Sequence, residues 1–510
     1  MVSKIKSGAI QGVQGYIVAV EADMGQGLPS FDIVGLPDSA VKESRERVRA
    51  AIRNTGFSLP GKNITINLAP ADTRKEGPFF DLPIAVGILS CMGIVPRHMA
   101  EKAFITGELS LDGDVRPVKG ILPLVYGAVQ NGIRTCVVPY DNADEAALVE
   151  SALVVPVRNL KELVAILRGE IQVKAYKPVP PDEGSPFALG EILDFADVKG
   201  QDNVKRALEI GAAGRHNVLM IGPPGSGKTM MAKRIPSILP GMSFAESIDV
   251  TKIYSVSGLI GSTSALASAR PFRAPHHTVS YAALTGGGLI PKPGEISLAH
   301  NGVLFLDELP EFHKNVLEVM RQPLEDGYVT ISRVNGTITY PADFMLVASM
   351  NPCPCGYFGD KNKCTCTQTD ISRYLGRVSG PLLDRIDIQV EAPKLAYNEL
   401  NATQKPESSE SIRARVTRAH DIQRQRYQNE GITCNAQLTG AQIDAVCQLD
   451  DSGRTLLKHA FDKMGLSARA YHKILKIART IADLDGTENI TSTQLAEAVQ
   501  YRNLDKKYWK

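Results

Sequence analysis

Several features that would place a chain in a membrane or outside the cell are missing from this sequence. It has no run of about eighteen apolar residues, so we expect no transmembrane helix and no membrane partner. Its first residues do not show a charged region followed by an apolar run and a cleavage site, so we expect a soluble, cytoplasmic protein. It also lacks a strong charge of either sign, because its net charge is only +2. Such a balance neither requires nor excludes nucleic acid as a partner.

Cysteine is scarce, and half of it is concentrated in one short stretch. Of eight cysteines, four form two C-x-C pairs, Cys353 with Cys355 and Cys364 with Cys366. This clustering is more typical of metal ligation than of a disulfide framework. Four thiolates across a short turn can close a tetrahedral Zn²⁺ site. Zinc sites more often use C-x-x-C pairs, and free thiols or a redox pair are the alternative.

A phosphate-binding loop lies near the middle of the chain. Residues 222–229 (GPPGSGKT) match G-x-x-x-x-G-K-[ST], with a strand predicted over 218–221 and a helix over 230–239. In this setting backbone N–H groups and the helix N-terminus hold phosphate oxygens. Lys228 would neutralise the β- and γ-phosphates, and Thr229 would hold Mg²⁺. The predicted nucleotide-binding residues are Gly222, Pro223, Pro224, Gly225, Ser226, Gly227, Lys228 and Thr229.

A second metal-holding acid is expected on a neighbouring strand, and the sequence supplies one. The apolar run 302–306 ends in Asp307 and Glu308. Asp307 suits a water-mediated Mg²⁺ ligand, and Glu308 suits the group that polarises the attacking water. An acidic strand cap is the simpler interpretation of these two residues alone. Their pairing with a phosphate loop favours catalysis, so ATP and Mg²⁺ are the predicted cofactors.

The first 170 residues or so predict an α/β or α+β domain, in which strand-like runs alternate with helices such as 39–54 and 82–91. The segment 75–81, an apolar helix and the segment 107–113 resemble the proteolytic domain of Lon. Lon-type proteases have a nucleophilic Ser and an activating Lys where this chain has Phe79 and Leu122. Neither side chain can attack a carbonyl or accept a proton. The resemblance therefore implies the fold without the peptidase, and an assembly or substrate-guiding role.

The segments around the phosphate loop resemble a particular branch of AAA+ ATPases. Residues 197–201 resemble the start of an AAA+ module, and 271–302 resemble the insertion of the magnesium-chelatase-like clade. The adjacent His276 and His277 do not face one site, which argues against a metal pair. With the Lon-like front and the cysteine insert, the order of parts resembles the ComM/YifB family over essentially the full length.

This resemblance implies a fold class and a domain order. The fold class is α/β, a P-loop AAA+ module with a helical lid, preceded by a Lon-protease-like (ribosomal S5 domain 2-like) α/β domain. A Pro-, Gly- and charge-rich stretch between them favours an extended spacer. The expected domains are 1–172 (Lon-like, without catalytic dyad), 173–192 (linker), 193–395 (AAA+ core with a four-cysteine insert at 353–366) and 396–510 (helical lid).

A hairpin is predicted over 329–340, because Asn335-Gly336 separates two alternating β-branched runs. It resembles the hairpin that, in the clade, projects into the pore of the ring. Arg333 and Asn335 would then contact a DNA phosphate backbone. An ordinary surface hairpin is an equally good interpretation of the sequence.

Three further residues are implied to sense or stabilise the γ-phosphate. Asn351, after the buried run 344–350, resembles the AAA+ sensor, although an Asn before Pro352 also suits a turn. The segment 379–387 resembles the arginine-finger segment, so Arg385 would reach the nucleotide of the neighbouring subunit. Arg373 and Arg377 compete for that role. Arg469, in 465–472, resembles the second sensor on the lid.

The Arg385 segment also has a structural interpretation, namely a local salt-bridge cluster of Asp384, Arg385 and Asp387. The following helical stretch 412–427 is arginine-rich, which suits DNA or, more often, a solvated helix face. Its arginines are Arg413, Arg415, Arg418, Arg424 and Arg426.

The resemblance implies a hexameric, Mg·ATP-driven translocase of single-stranded or branched DNA that migrates branches during natural transformation. Two rival classes remain. A chelatase motor subunit would need a partner, because no D-x-S-x-S metal-adhesion pattern is present. An ATP-dependent protease would need the missing Ser/Lys dyad, and a protein-remodelling ATPase is a further alternative.

Overall fold

The computed structural model describes residues 2–73, 75, 77–172, 176, 193–260, 266–288, 291–333, 336–360, 362–394 and 406–509. Most of the predicted linker 173–192, the hairpin residue Asn335 and the side chain of Arg333 lie outside this description. Within the described ranges, no helix has both the length and the apolarity that a membrane crossing requires.

The chain divides into two compact units. Unit 1 comprises 1–187 and 247–268, and unit 2 comprises 188–246 and 269–510. The segment 247–268, which the predicted ATPase core includes, groups with unit 1 by its contacts. Its helix is held there by specific contacts: Ser255 donates to the buried Glu145 carboxylate at 2.5 Å, and the Lys252 ammonium lies 3.9 Å from the centre of the Tyr126 ring.

Unit 1 is built on a seven-stranded mixed sheet. The strands lie in the spatial order Ser30–Val34, Asn63–Ala69, Gln14–Gly25, Ser3–Gln11, Phe104–Ile105, Thr135–Pro139 and Leu153–Val157. Successive residues of the inner strands point to opposite faces, so Phe104 and Ile105 enter different apolar clusters. Both faces of this sheet are therefore covered, and its strands are largely apolar.

Helices cover the sheet of unit 1. They are Ser39–Asn54, Asp81–Cys91, Arg97–Ala100, Ile121–Gln130, Ala143–Ala147 and Leu160–Leu167. The first has the predicted bounds, because the Asp38 side chain caps it by accepting from the Val41 N–H at 2.7 Å. A short hairpin pairs Glu108–Leu109 with Val115–Arg116.

The two positions that Lon-type proteases use for catalysis are part of the packing here. Phe79 lies in the turn Pro78–Phe80 and packs against both apolar clusters of unit 1. Leu122 is fully buried in Ile121–Gln130, and its backbone N–H donates to Glu145 at 3.1 Å. Both side chains are held by core contacts, and neither offers a nucleophile or a base.

Unit 2 is built on a five-stranded parallel sheet. Its strands lie in the order Phe272–Arg273, Val303–Leu306, Met345–Met350, Val218–Ile221 and Ile388–Glu391. Buried apolar runs are expected in a parallel sheet covered on both faces. Unit 2 also contains two hairpins that form separate two-stranded sheets. One pairs Gly286–Gly287 with Lys292–Pro293, and the other pairs Tyr328–Arg333 with Gly336–Pro341.

The helix predicted after the phosphate loop is shorter than expected. Instead of one helix over 230–239, the chain forms Lys228–Ala232 and Ile235–Ile238. Pro236 explains the interruption, because it lacks an N–H and its ring would clash with the carbonyl of Ala232 in a continuous helix. Between residues 193 and 394, the described part of the chain also forms the helices Asp202–Gly214, Phe244–Ser257, Tyr281–Thr285, Glu295–Leu298, Lys314–Val319, Arg321–Asp326, Gln368–Leu375 and Gly380–Leu383.

The C-terminal part of unit 2 is helical. Its helices are Ser409–Arg426, Gly440–Val446, Asp451–Met464, Ala468–Asp485, Ser492–Gln500 and Leu504–Tyr508. Residues of these helices, such as Val416, Ile477 and Leu495, share one apolar cluster with the parallel sheet. Of the five arginines on Ser409–Arg426, Arg415 pairs with Glu209 and Arg426 pairs with Asp483, so these two stabilise the packing.

Candidate functional site

Three neighbouring strands of the parallel sheet end at one edge, and the predicted catalytic segments follow them. The phosphate loop follows Val218–Ile221, Asp307 follows Val303–Leu306, and Asn351 follows Met345–Met350. Ligands of open parallel sheets bind at the carboxyl ends of the strands. The topology therefore brings together residues that are far apart in the sequence.

The loop itself adopts a conformation that depends on its glycines. Gly225 and Gly227 have φ values of 75° and 85°, in the left-handed region that L side chains rarely adopt. A Cβ at Gly222 would stand 2.2 Å from the Ala392 carbonyl oxygen. A side chain at any of these positions would therefore distort the loop.

Lys228 lies at the centre of the loop. Its ammonium donates to the carbonyls of Gly222 at 2.7 Å and Pro223 at 3.0 Å, and to the Asn351 side-chain oxygen at 3.3 Å. Burial lowers the pKa of Lys228, while the charges of Asp307 and Glu308 oppose that shift. A phosphate would supply the negative charge that this buried cation lacks.

Thr229 and Asp307 lie side by side at the same edge. The Thr229 hydroxyl donates to Asp307 Oδ2 at 2.6 Å, and the Ser349 hydroxyl donates to Asp307 Oδ1. A hydroxyl beside a carboxylate is the donor set that Mg²⁺ takes together with nucleotide phosphates. These residues would hold the metal, which would neutralise charge on the phosphates.

Glu308 follows Asp307 in a left-handed backbone conformation, with φ of 55°. Its N–H donates to Asp307 Oδ1 at 3.1 Å and to the Ser349 hydroxyl at 3.4 Å. Its carboxylate lies 3.7 Å from the His277 ring nitrogen Nδ1, and the Glu308 side chain is 55% exposed. The geometry presents a solvent-facing carboxylate next to the candidate metal site.

The four clustered cysteines have the spacing of a metal site. All four sulfurs lie within 4.8 Å of one another, with 3.3 Å between Cys353 and Cys355, 3.9 Å between Cys353 and Cys364, and 3.7 Å between Cys355 and Cys364. Sulfurs at about 2.3 Å from a tetrahedral Zn²⁺ are about 3.8 Å apart. The sulfur positions therefore fit a tetrahedral ion.

The environment of the cluster favours the thiolate form of one cysteine, Cys355, and opposes it at Cys353. Although burial opposes ionisation, backbone N–H groups at Tyr357 and Thr365 lower the pKa of Cys355 to about 6. Burial raises the pKa of Cys353 to about 12. A bound cation would favour the thiolate form of both.

The cysteine insert packs on the phosphate loop. Gly356 has φ of 85°, and a Cβ there would stand 2.4 Å from Pro224. Beside this contact, a cavity of about 240 Å³ is lined by residues of both segments and of the C-terminus, including Pro223, Tyr357 and Tyr508. The Phe358 and Tyr508 rings lie 5.8 Å apart at this cavity. The insert is thus a direct support of the nucleotide site.

Comparison with known proteins gives full-length matches. "Competence protein ComM" of Haemophilus influenzae is 44% identical over 502 residues, which cover 98% of this chain and 97% of that protein. "Uncharacterized protein YifB" of Escherichia coli is 44% identical over 510 residues, covering 99% and 97%. The chain belongs to the ComM/YifB family.

Matches to parts of the chain agree with the architecture of this ComM/YifB member. The family described as magnesium chelatase, subunit ChlI, matches residues 194–400, and related ChlI families match 20–142 and 406–502. Lon protease 2 of Bacillus subtilis is 30% identical over 153 residues, which cover 30% of this chain and 25% of that protease. The chain therefore combines a magnesium chelatase-like ATPase module with a Lon-like segment.

Arg385, the predicted arginine finger, and Arg469, the predicted second sensor, lie near each other in this ComM/YifB chain, because Arg469 pairs with the residue that precedes Arg385. The Arg385 side chain is 10% exposed, contacts Glu325, and donates to the Pro381 carbonyl at 2.6 Å. Arg469 lies 3.5 Å from Asp384 and is 65% exposed. Among the contacts of the described residues, none joins either arginine to the phosphate loop.

The local cluster of Asp384, Arg385 and Asp387 is not formed. Asp387 pairs with Lys473 at 3.0 Å, and Asp384 and Arg385 pair with other partners. Burial raises the pKa of Asp387, but the Lys473 charge outweighs it, so the pKa is well below its usual range. Of the competing arginines, Arg377 pairs with Glu311 at 2.8 Å, and Arg373 is exposed.

Several residues at the site escaped the sequence analysis. Ser349 was detectable as a polar residue in the apolar run before Asn351. Gln201 donates to the carbonyls of Ser226 and Pro393, at 3.2 Å and 2.6 Å, and so joins the phosphate loop to the last strand. Glu325 had no sequence signal, because its contact with Arg385 depends on the tertiary fold.

Proposed function

We propose that this chain is an ATP-hydrolysing ring motor that moves branched DNA. The observation that carries the ATPase part is the convergence of Lys228, Thr229, Asp307 and Asn351 at one sheet edge. Lys228 would bind the phosphates, Glu308 would take the proton of the attacking water, and Asn351 would orient that water or the γ-phosphate. ATP and Mg²⁺ are the cofactors that this site accommodates.

The ring part of the proposal is supported by Arg385. An arginine that stabilises charge on a transferring phosphoryl group is commonly supplied by a neighbouring subunit. Arg385 and Arg469 both lie away from their own phosphate loop, with Glu325 and Asp384 as partners. In a homohexamer they would exchange these carboxylates for nucleotide phosphates, with Arg469 carried by a helical lid.

The DNA part rests on the hairpin Tyr328–Arg333 and Gly336–Pro341 and on the family. One full-length relative is named a competence protein. Arg333 and Asn335 offer a cation and a polar donor, without the aromatic-apolar pair of a polypeptide-gripping loop. Phosphate contacts of this kind hold single-stranded or branched DNA without reading its sequence. The substrate is therefore DNA in the cytoplasm during recombination and natural transformation.

A structural zinc ion completes the proposal. Cys353, Cys355, Cys364 and Cys366 would hold it, and it would fix the insert that packs on Pro224. Zinc has no redox chemistry of its own, so this ion would stabilise the insert rather than take part in hydrolysis.

A second candidate is a motor subunit of a metal chelatase, because chelatase-subunit families match three parts of the chain. ATPase assays with no DNA, single-stranded DNA, duplex DNA and a four-way junction separate the two functions. We expect DNA, and the junction most of all, to raise kcat. A rate that no DNA changes would refute the DNA motor and favour the chelatase function.

A further inference from the structure

The strand register places His277 opposite Glu308. Phe272 pairs with Val303 in parallel strands, and His277 and Glu308 each follow that pair by five residues. The two chains remain close beyond the strand ends, because His277 Nδ1 lies 3.7 Å from Glu308 Oε2. The pairing of the two strands therefore brings His277 and Glu308 close together, so their proximity does not depend only on the conformation of an exposed loop.

The His277 ring is itself held in place. It lies against the His276 ring, with 4.0 Å between centroids, and meets the edge of the buried Phe312 ring at 6.4 Å. His276 in turn is bonded through Nδ1 to the Thr278 hydroxyl at 2.9 Å. Because ring contacts on two sides already restrict its rotation, the His277 ring loses little further conformational entropy when it orients a neighbouring group.

The Glu308 carboxylate needs such direction. Its backbone is held because its N–H donates to both Asp307 and Ser349, but its side chain is 55% exposed. In the described part of the chain, its ion-pair partner is His277. A general base works only when it is within hydrogen-bond reach of the proton it removes, so a freely rotating carboxylate is a poor base.

We propose that His277 is a positioning residue that orients the Glu308 carboxylate for water activation. This inference rests on the proposed ATPase function. In the hydrolysing arrangement, His277 Nδ1–H would donate to Glu308 Oε2, which would leave the other carboxylate oxygen to face the water. The present separation of 3.7 Å closes by a small rotation of the glutamate side chain.

The first test is the kinetics of His277→Ala with the full-length protein. We expect kcat for ATP to fall about tenfold, with KM within about twofold of wild type, because orienting partners contribute to the chemical step rather than to binding. His277→Asn should recover most of the loss, since its amide can donate to a carboxylate. Binding of a fluorescent ATP analogue checks that the loop is intact.

The second test is a double-mutant cycle measured by single-turnover hydrolysis. In a Glu308→Gln background, His277→Ala should cause no further loss, because the oriented carboxylate is already gone. His313→Ala, at an exposed histidine of the same region, should match wild type. A normal kcat in His277→Ala, an equal loss in both backgrounds, or no recovery with Asn would overturn the inference. Absence of hydrolysis in wild type would refute the ATPase function and the inference together.

Discussion

At the residue scale, Lys228 and Glu308 occupy different parts of one site. The Lys228 ammonium is bonded to loop carbonyls where phosphates would bind, whereas the Glu308 carboxylate faces solvent. Lys228→Ala should therefore weaken nucleotide binding and abolish hydrolysis. Glu308→Gln should keep binding and slow hydrolysis by about a hundredfold or more, the usual contribution of a general base.

Titration with a fluorescent ATP analogue and a phosphate-release assay measure these two effects separately. Ser110→Ala, a small side-chain change in unit 1, provides a control outside the unit that carries the phosphate loop. Hydrolysis at the wild-type rate in both Lys228→Ala and Glu308→Gln would contradict the assignment of the site.

Individual residues differ in how far the sequence could predict them. The phosphate loop and Asp307 stand in local patterns, a glycine turn and an acidic strand end, so spacing alone was enough to predict them. His277 was considered only as a metal ligand and rejected, because its approach to Glu308 depends on the register between two strands. Glu325 and Arg385 meet across 60 positions of sequence, which no local pattern encodes.

At the element scale, the cysteine insert is a short segment that brings four sulfurs together and packs on the phosphate loop. We expect the protein, purified without chelator, to contain about one Zn²⁺ per chain, because four thiolates bind zinc tightly at neutral pH. Cys364→Ser should lose most of that metal, while Cys91→Ser in unit 1 should keep it. Elemental analysis that finds no zinc in the wild-type protein would contradict this prediction.

The hairpin formed by Tyr328–Arg333 and Gly336–Pro341 has the predicted strand pairing, with Ile331 opposite Ile338. Arg333→Ala should reduce DNA stimulation of the ATPase and leave the DNA-free rate unchanged, because a phosphate contact acts only when DNA is bound. The slope of log affinity against log salt should fall by about one.

Arg413→Ala, at an exposed arginine of Ser409–Arg426, is the matched control for this change in charge. It should retain DNA stimulation and the salt slope. If Arg333→Ala behaved like Arg413→Ala, the hairpin would not be the DNA grip.

Element boundaries followed the sequence where caps and turns were present. The helix Ser39–Asn54 starts at an Asp cap and has the predicted bounds, whereas the predicted helix over 230–239 is divided at Pro236. Ala468–Asp485 likewise begins at a cap, because the Ser467 side chain accepts from the Ala470 N–H. The local sequence was thus sufficient to predict a helix end at a cap, whereas the effect of Pro236 on the predicted helix was overlooked.

At the scale of the whole molecule, the order of parts was predictable, whereas the grouping of one segment by its tertiary contacts was not. The Lon-like front, the ATPase core and the helical C-terminus follow the order that the family resemblance implied. The segment 247–268 belongs to unit 1 although it lies between parts of unit 2 in sequence. Its contacts with Glu145 and Tyr126 are tertiary, so patterns along the chain could not assign it.

The central claim is that ATP hydrolysis by this chain moves branched DNA. The most direct measurement is strand exchange on a fluorescently labelled four-way junction, followed in real time with wild-type protein and with Lys228→Ala as the hydrolysis-deficient control. The account predicts that wild type resolves the junction into its exchanged duplexes only when ATP and Mg²⁺ are present, and that Lys228→Ala does not. A junction that stays intact with wild-type protein while ATP is hydrolysed would contradict the claim.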